Sequence, residues 1–416
     1  VTSTRKIGLS LGADLCWPAF YEDILERLAP ELTVAGERMR FAVERVTIEP
    51  FDLSQPVSYD VVLDRLTPWY HTSREWIKKA IVQNDLYSLN NPFSLQSMEK
   101  HTSYAAMMRL GMPIPKTVLL PPKDYHEDLP DLHLTLSSYA KMFDLAEIGD
   151  SVGYPAFLKP YDGGGWRGIT RVTNAEELQR AYDSSGEDIM HLQAGVDPFD
   201  LFVRVLAVGP QVNVIKYDPD APIHDRYKVD FGFVDDAERQ HLHDLAMTIN
   251  SFFGWDFNSV EALRKDGTFY PIDFANANPD SQVTSLHYHI PWLVKALIRW
   301  SLYCAATQRR MRHHVEWGPF FLIADSDAPF EEKLAAYAEI AADRYETARF
   351  EEFCDKHLGA LDEITWEYFA TDRARDAVRR KVAVLFPEHE VDQFTEHFWG
   401  LLEFWRKTER DRLDAS

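Results

Sequence analysis

Apolar and polar positions along this chain change period repeatedly, and each change marks a predicted element. Lys6 to Gly12 reads as a short apolar strand with a turn, after which helical spacing predicts a helix over 17–28. A buried strand bracketed by charges follows over 59–66, then a helix over 72–83 and a turn at Asn90-Asn91-Pro92. Strands alternating with helices point to an α/β unit with a mostly parallel sheet. Residues 96–110 keep helical spacing and stop at Gly111. Pro113 and Pro115 exclude helix from 112–120, which is therefore extended. A helix is expected over 136–149.

Further on, strands over 203–208 and 212–217 flank Gly209-Pro210. Leu242, Leu245, Ala246, Ile249 and Phe253 share one face of a helix over 241–253. Strands over 259–263 and 268–274 flank Lys265-Asp266-Gly267, a strong β-hairpin signal. From about Trp292 the pattern is helical. Leu334, Tyr337, Ala341 and Tyr345 keep helical period, as do Val391, Phe394, Phe398, Leu401 and Trp405. These stripes read as a helical bundle packed on the rest of the chain rather than as a ligand groove.

Composition narrows the function. With 416 residues, 45% apolar and 26% charged, the chain is globular and long enough for two or three domains. A formal net charge of −22 argues against a nucleic-acid partner, which needs clustered Lys and Arg. Cys16, Cys304 and Cys354 are too far apart in sequence for a disulfide framework or a metal spacing. The first residues lack the pattern of a secretory signal, and no run approaches a membrane span. A soluble, cytoplasmic protein without a membrane partner is expected.

Two segments carry candidate chemistry. Tyr154-Pro155-Ala156-Phe157-Leu158-Lys159-Pro160 is a short strand ending in a lysine, and Asp162 to Gly168 follows, with Gly163, Gly164 and Gly165 in a row. Glycines let the backbone approach closely, and their amides donate to phosphate oxygens beside the lysine. The second segment is the hairpin itself. Glu261 and Asp273 lie on its two strands at similar distances from the turn, so they come within reach of each other if register is symmetric. Paired carboxylates in an apolar setting repel each other unless a cation or a proton intervenes, and oxygen ligands shared with phosphates suit Mg²⁺. Asn276, Asn278 and Asp280 follow as further oxygen donors. His287 and His289 come next, as candidate bases or hydrogen-bonded bystanders.

In chain order these pieces resemble the ATP-grasp superfamily over about residues 5–300. Met98-Glu99-Lys100-His101-Thr102 opens a helix, and Leu110-Gly111-Met112-Pro113-Ile114-Pro115-Lys116-Thr117 is similar to the family's G-I-P-x-P-x-T stretch. Gly153 to Pro160 is similar to its G-Y-P-hydrophobic-K-P strand. The resemblance implies an ATP-grasp fold, α/β in class, with an N-terminal α/β pre-grasp domain over 1–95 and a grasp domain over 96–300. The grasp domain would divide into a lid over about 116–190 and a metal and nucleotide part over 191–300, with an all-helical extension over 301–416.

The resemblance also implies roles. Lys100 and Lys159 would bind ATP phosphates under the glycine loop. Gln193, Ala194 and Val196 would form the hinge that reads adenine, and Asp197 or Asp200 would take the ribose. Glu261, Asp273 and Asn276 would hold Mg²⁺, with Asn278 or Asp280 as alternatives to Asn276. Arg204 would lie by the transferred phosphoryl group and Arg226 by a substrate carboxylate. The chain departs from the family in having Asp273 and Ala275 where Glu and Asn are usual, and Gln193 where Glu is commoner. The implied activity is an ADP-forming ligase joining a small-molecule carboxylate to an amine, such as an amino acid or peptide. A small-molecule kinase and a non-catalytic nucleotide-binding protein stay open as alternatives, as does a homodimer.

Overall fold

The computed structural model describes residues 2–94, 100–125, 131–161, 168–276, 278–312 and 315–413. The first of three sheets comprises β1 (Ser3–Ser10), β2 (Glu31–Val34), β3 (Glu37–Arg45), β4 (Val61–Asp64) and β5 (Tyr87–Leu89), in the order β2-β3-β1-β4-β5. β1 runs parallel to β3 and β4, and β4 parallel to β5. β4 is apolar on both faces because both are covered. Val61 and Leu63 pack with the helix Trp17–Leu28, while Val62 packs with Trp76 and Ile77 of the helix His71–Asn84. The β2–β3 hairpin escapes the hydrophobic pattern, since Glu37–Arg45 is charged and largely exposed.

The second sheet holds β6 (Thr117–Leu120), β7 (Ala156–Pro160), β8 (Thr170–Val172) and β9 (Met190–Ala194), ordered β6-β9-β7-β8 and antiparallel throughout. Its core is small and its own: Leu158, Val172 and Leu192 meet Leu145, Val152, Leu178 and Tyr182 from two short helices. The single helix expected over 136–149 is two, Leu132–Tyr139 and Leu145–Val152. The break is made by Asp144, whose carboxylate accepts from the Ala146 and Glu147 N–H groups and caps the second helix.

The third sheet is β11-β10-β12-β13, built from β10 (Leu201–Val208), β11 (Gln211–Lys216), β12 (Phe257–Lys265) and β13 (Thr268–Asp273), all antiparallel. Alternation along β10 sends Val203 and Val205 to the helix Asp236–Phe253 and Phe202 and Leu206 to the core shared with the first sheet. That helix starts earlier than its apolar stripe, at a capping box between Asp235 and Glu238. The β10–β11 turn approaches the buried helix Ile290–Ala306 closely. A Cβ on Gly209, which has φ +55°, would lie 2.4 Å from the Trp300 ring.

The C-terminal helices continue these cores. Leu334, Tyr337, Ala341 and Tyr345 are buried, and the Tyr337 and Tyr345 hydroxyls donate to the carbonyls of Leu110 and Trp255 at 3.2 and 2.6 Å. Val391, Phe398 and Trp405 are buried as well. Asp256 ties three parts together: Tyr87 donates to it from the first sheet, Trp300 Nε1 donates at 3.3 Å, and Arg344 lies 3.7 Å away. Among the described residues, no helix is long and apolar enough to cross a membrane.

Candidate active site

A cavity of about 700 Å³ opens between the second and third sheets. Its acidic wall depends on an irregularity in the hairpin. Asp266 and Gly267 have φ of +52° and +76°, giving a two-residue turn that pairs Lys265 with Thr268 and Ala262 with Pro271. Continued unbroken, that register would set Glu261 opposite Ile272 and turn Asp273 to the other face. A bulge between Glu261 and Ala262 shifts the register by one, so Glu261 pairs with Asp273 and both carboxylates share a face. Pro271 costs no ladder bond at this edge strand.

The basic wall comes from the second sheet and the helix Lys100–Arg109. Lys159 Nζ donates to Gln193 Oε1 at 2.8 Å and to the Ile272 carbonyl at 3.0 Å, and lies 5.1 Å from the Tyr104 ring centre. Gln193 is therefore a strut: its Nε2 donates to Thr117 Oγ1 at 2.9 Å while its oxygen holds the lysine. Burial pulls the Lys159 ammonium down to about 8, with Lys100 adding to the effect and Asp273 and Glu261 opposing it. Lys100 is also buried, with Nζ 3.2 Å from Asp273 Oδ2. Beside them, His191 is paired in register with Lys159, and burial and the neighbouring cations press it down to about 3, so it is neutral.

Arg204 completes the set. It donates to Glu261 and to the Tyr227 hydroxyl, and its guanidinium lies 5.4 and 5.5 Å from the Tyr217 and Tyr227 ring centres. Burial raises the Glu261 carboxyl, with Arg204 opposing and Asp273 reinforcing the shift. Glu261 with Arg204 and Asp273 with Lys100 make two charge-balanced pairs in one site. Removing one member of either would strand its partner, at about 3–5 kcal/mol by analogy with other buried pairs.

The donor chemistry fits a hard cation. Asp273 Oδ1 and Asn278 Oδ1 are buried without a hydrogen-bond partner among the described residues. Asn276 Nδ2 donates to the Ser259 carbonyl at 3.3 Å and Asn278 Nδ2 to that of Arg65 at 3.1 Å, which fixes the orientation of each amide. Asp280 also lines the cavity, accepting from Gln282 N at 2.9 Å and Ser285 Oγ at 2.5 Å. Among the described residues, no three His, Cys, Asp or Glu side chains cluster as a metal site. A cation here would rely on two carboxylates, amide oxygens and ligand atoms.

The cavity wall gathers Lys100, Lys159, Gln193, Ala194, Val196, Asp197, Arg204, Arg226, Glu261, Asp273 and Asn276. Asp200 is not on it, because Arg264 holds its carboxylate at 2.7 Å. Asp197, whose carboxylate lies 3.2 Å from Arg171, is on the wall beside Ala194 and Val196. Gly163, Gly164 and Gly165 lie outside the described residues. His287 and His289 are also off the wall, behind the loop that carries Arg226; His289 lies 3.3 Å from the Lys228 carbonyl. Trp69, Tyr217 and Tyr227 line the cavity without having been singled out in the sequence. Tyr217 and Tyr227 meet through an isolated bridge that no local pattern announces.

No protein-family model matches the chain. Over 136 residues it is 28% identical to a D-alanine–D-alanine ligase of Bacillus pumilus (strain SAFR-032), a match covering 31% of this chain. The chain spans about a third of the length of that curated relative, 34%. Among solved structures, the D-alanine–D-alanine ligase of Bacillus anthracis complexed with ATP is similar at a TM-score of 0.47 and 13% identity, covering 83% of this chain and 99% of that one. A RimK-domain ATP-grasp protein of Sphaerobacter thermophilus DSM 20745 is similar at a TM-score of 0.44 and 11% identity, covering 66% and 92%.

Proposed function

We propose that this chain is an ATP-grasp enzyme, an ADP-forming ligase that joins a small-molecule carboxylate to an amine. The reading rests above all on one observation: Lys100 and Lys159 meet Glu261 and Asp273 across a single cavity between two sheets. The similarity to a D-alanine–D-alanine ligase over part of the chain agrees with it.

In this reading the ammonium groups of Lys100 and Lys159 hold ATP phosphates, the hinge Gln193 to Val196 borders adenine, and Asp197 takes the ribose. Glu261, Asp273 and the Asn276 or Asn278 oxygen would hold Mg²⁺, which when bound supplies neutralising charge beside the phosphates. Lys100 and Arg204, paired with Asp273 and Glu261 here, would be the cations to meet phosphate oxygens. Arg204 is set to stabilise charge on the transferring phosphoryl group. A substrate carboxylate oxygen attacks the γ-phosphorus as the bond to the β-phosphate oxygen breaks and ADP departs. The amine next attacks the acyl carbon, phosphate leaves, and the amine gives up a proton. The enclosing sheets keep water from the acyl phosphate.

The test is product analysis with purified protein, ATP and MgCl₂. Release of ADP and phosphate that requires both a carboxylate and an amine is expected. A product that retains the phosphate would assign a kinase, and ATP binding without turnover on any acid would assign a binding protein.

A further inference from the structure

Behind the cavity wall stands a group of histidines that the chemistry proposed above does not use. His287 and His289 flank Tyr288 on a short 3₁₀ turn, with ring centres 6.2 Å apart. The loop between Tyr217 and Tyr227 supplies Ile223, Arg226 and Tyr227 to the cavity. The same loop carries His224, whose ring lies 5.2 Å from Phe394 and 6.0 Å from His397 on the helix Val391–Leu413. Among the described residues these histidines do not gather into a metal site.

The turn holds the loop where it returns to the sheet. His289 Nε2 lies 3.3 Å from the Lys228 carbonyl, and since a carbonyl only accepts, Nε2 carries the proton. Lys228 follows Tyr227, which accepts from Arg204, the partner of Glu261. The Asp218 and Lys228 amides close the loop on the Arg226 and Lys216 carbonyls at 2.9 Å each. A shift of the turn therefore reaches the charged wall through one residue.

His287 is 2% exposed and has φ +27°, a setting rare for a bulky side chain. Its Nδ1 accepts from the Tyr288 N–H at 2.8 Å, so the neutral ring bears its proton on Nε2. That Nε2 is buried without a hydrogen-bond partner among the described residues. A second proton would enter at Nδ1 and face the Tyr288 N–H, so the seated ring is held neutral by geometry. Burial above all, then His289, His397 and Lys228, press His287 down to about 3, with Asp225 opposing. Burial presses His289 down to about 4, against the pull of the Lys228 carbonyl. The remaining charges around the turn are engaged elsewhere. Lys228 lies 2.9 Å from Asp225, and Glu409 of the helix Val391–Leu413 lies 2.7 Å from Lys295 of the helix Ile290–Ala306. The short helix Val283–Leu286 brings no titratable side chain.

We propose that His287 and His289 are positioning residues that latch the Arg226–Tyr227 segment of the wall, and that protonating them frees it. Hydrated and clear of the loop, a histidine titrates at its ordinary value of about 6.5. Above that pH both states are neutral and the latch is at full strength. Below it each histidine favours the freed state by up to about tenfold per pH unit, until the seated ring itself takes a proton. Such a latch acts on the wall whichever ligand the cavity takes, so its test needs no turnover.

Hydrogen exchange of the full chain at pH 7.5 and 5.5, corrected for the intrinsic pH dependence of exchange, reads the latch directly. Protection of the Asp218 and Lys228 amides is expected to fall about tenfold for each histidine between the two, while Val205 and Val260 keep theirs. His287→Asn with His289→Gln removes both titrations and keeps the contacts. Asn tolerates positive φ and offers an oxygen to the Tyr288 N–H, and Gln offers a donor to the Lys228 carbonyl. That double variant should match the wild type at pH 7.5 and show no fall at 5.5, and His289→Gln alone should remove about one tenfold step. Wild-type protection that is equal at the two pH values overturns the latch. So does a fall that persists undiminished in the variants, or one that Val205 and Val260 share. The wild type and His289→Gln decide the matter even where the double substitution fails to fold.

Discussion

The two walls of the cavity are built in opposite ways. The third sheet is clamped by the helices Asp236–Phe253 and Ile290–Ala306, and its residues run into the main cores of the molecule. The second sheet closes over a small core of its own, with Leu158, Leu178 and Leu192 at its centre. The acids and Arg204 stand on the clamped wall, and Lys159 stands on the lighter one. Such a division suits a site in which one side fixes the geometry of charge transfer while the other opens and shuts.

The sharpest way to break this comparison is to disarm the clamped wall. Asp273→Asn should lower carboxylate-dependent ATP turnover by about a hundredfold or more, since a fixed charge beside the reacting group is lost. Near wild-type turnover would remove Asp273 from the chemistry. Trp300→Ala should cost about 3–5 kcal/mol, because the ring is fully buried and stacks on Tyr303 at 5.5 Å. That loss should appear in denaturant melts as one transition shared by the third sheet and the C-terminal helices. In native-state hydrogen exchange, by contrast, amides of Leu158 and Leu192 should open at lower free energy than those of Val205 and Val260. Equal protection in both sheets would erase the distinction.

How much of this was legible in the sequence follows the same division. Lys159 before a glycine run and the Asp266-Gly267 turn are local signals, and the structure brings Lys159 and the hairpin acids together in the cavity. The bulge at Glu261 is not local. Symmetric register and the observed one differ by a single residue, and no residue type marks the shift. The helix Ala175–Asp183 could have been found, since Asn174 accepts from Glu177 N in a capping arrangement that the sequence spells out. The Asp200 pairing with Arg264 depends on strand neighbours far apart in the chain, which is why Asp197 and Asp200 could not be told apart beforehand.

Smaller effects refine the picture. Burial holds Lys159 down to about 8, and phosphate binds the ammonium form. Below that pH the lysine is already charged; above it, binding must take up a proton. ATP affinity should therefore be flat below pH 8 and fall by up to about tenfold per unit above it. Lys159→Arg should remove that fall, and a titration indifferent to pH in the wild type would argue against phosphate contact. The smallest effect is expected at Asp200→Ala, which breaks an exposed pair worth about 0–1 kcal/mol and should leave the KM for ATP unchanged. A raised KM would return Asp200 to the ribose.

Calorimetric titration of a non-hydrolysable ATP analogue with Mg²⁺ into the wild-type chain and into Lys159→Ala is the most direct test of a nucleotide held between the two walls. One binding site in the wild type is expected, with affinity lost by about tenfold or more in the variant at a temperature where both proteins are folded. Equal affinity in the two proteins would contradict the account.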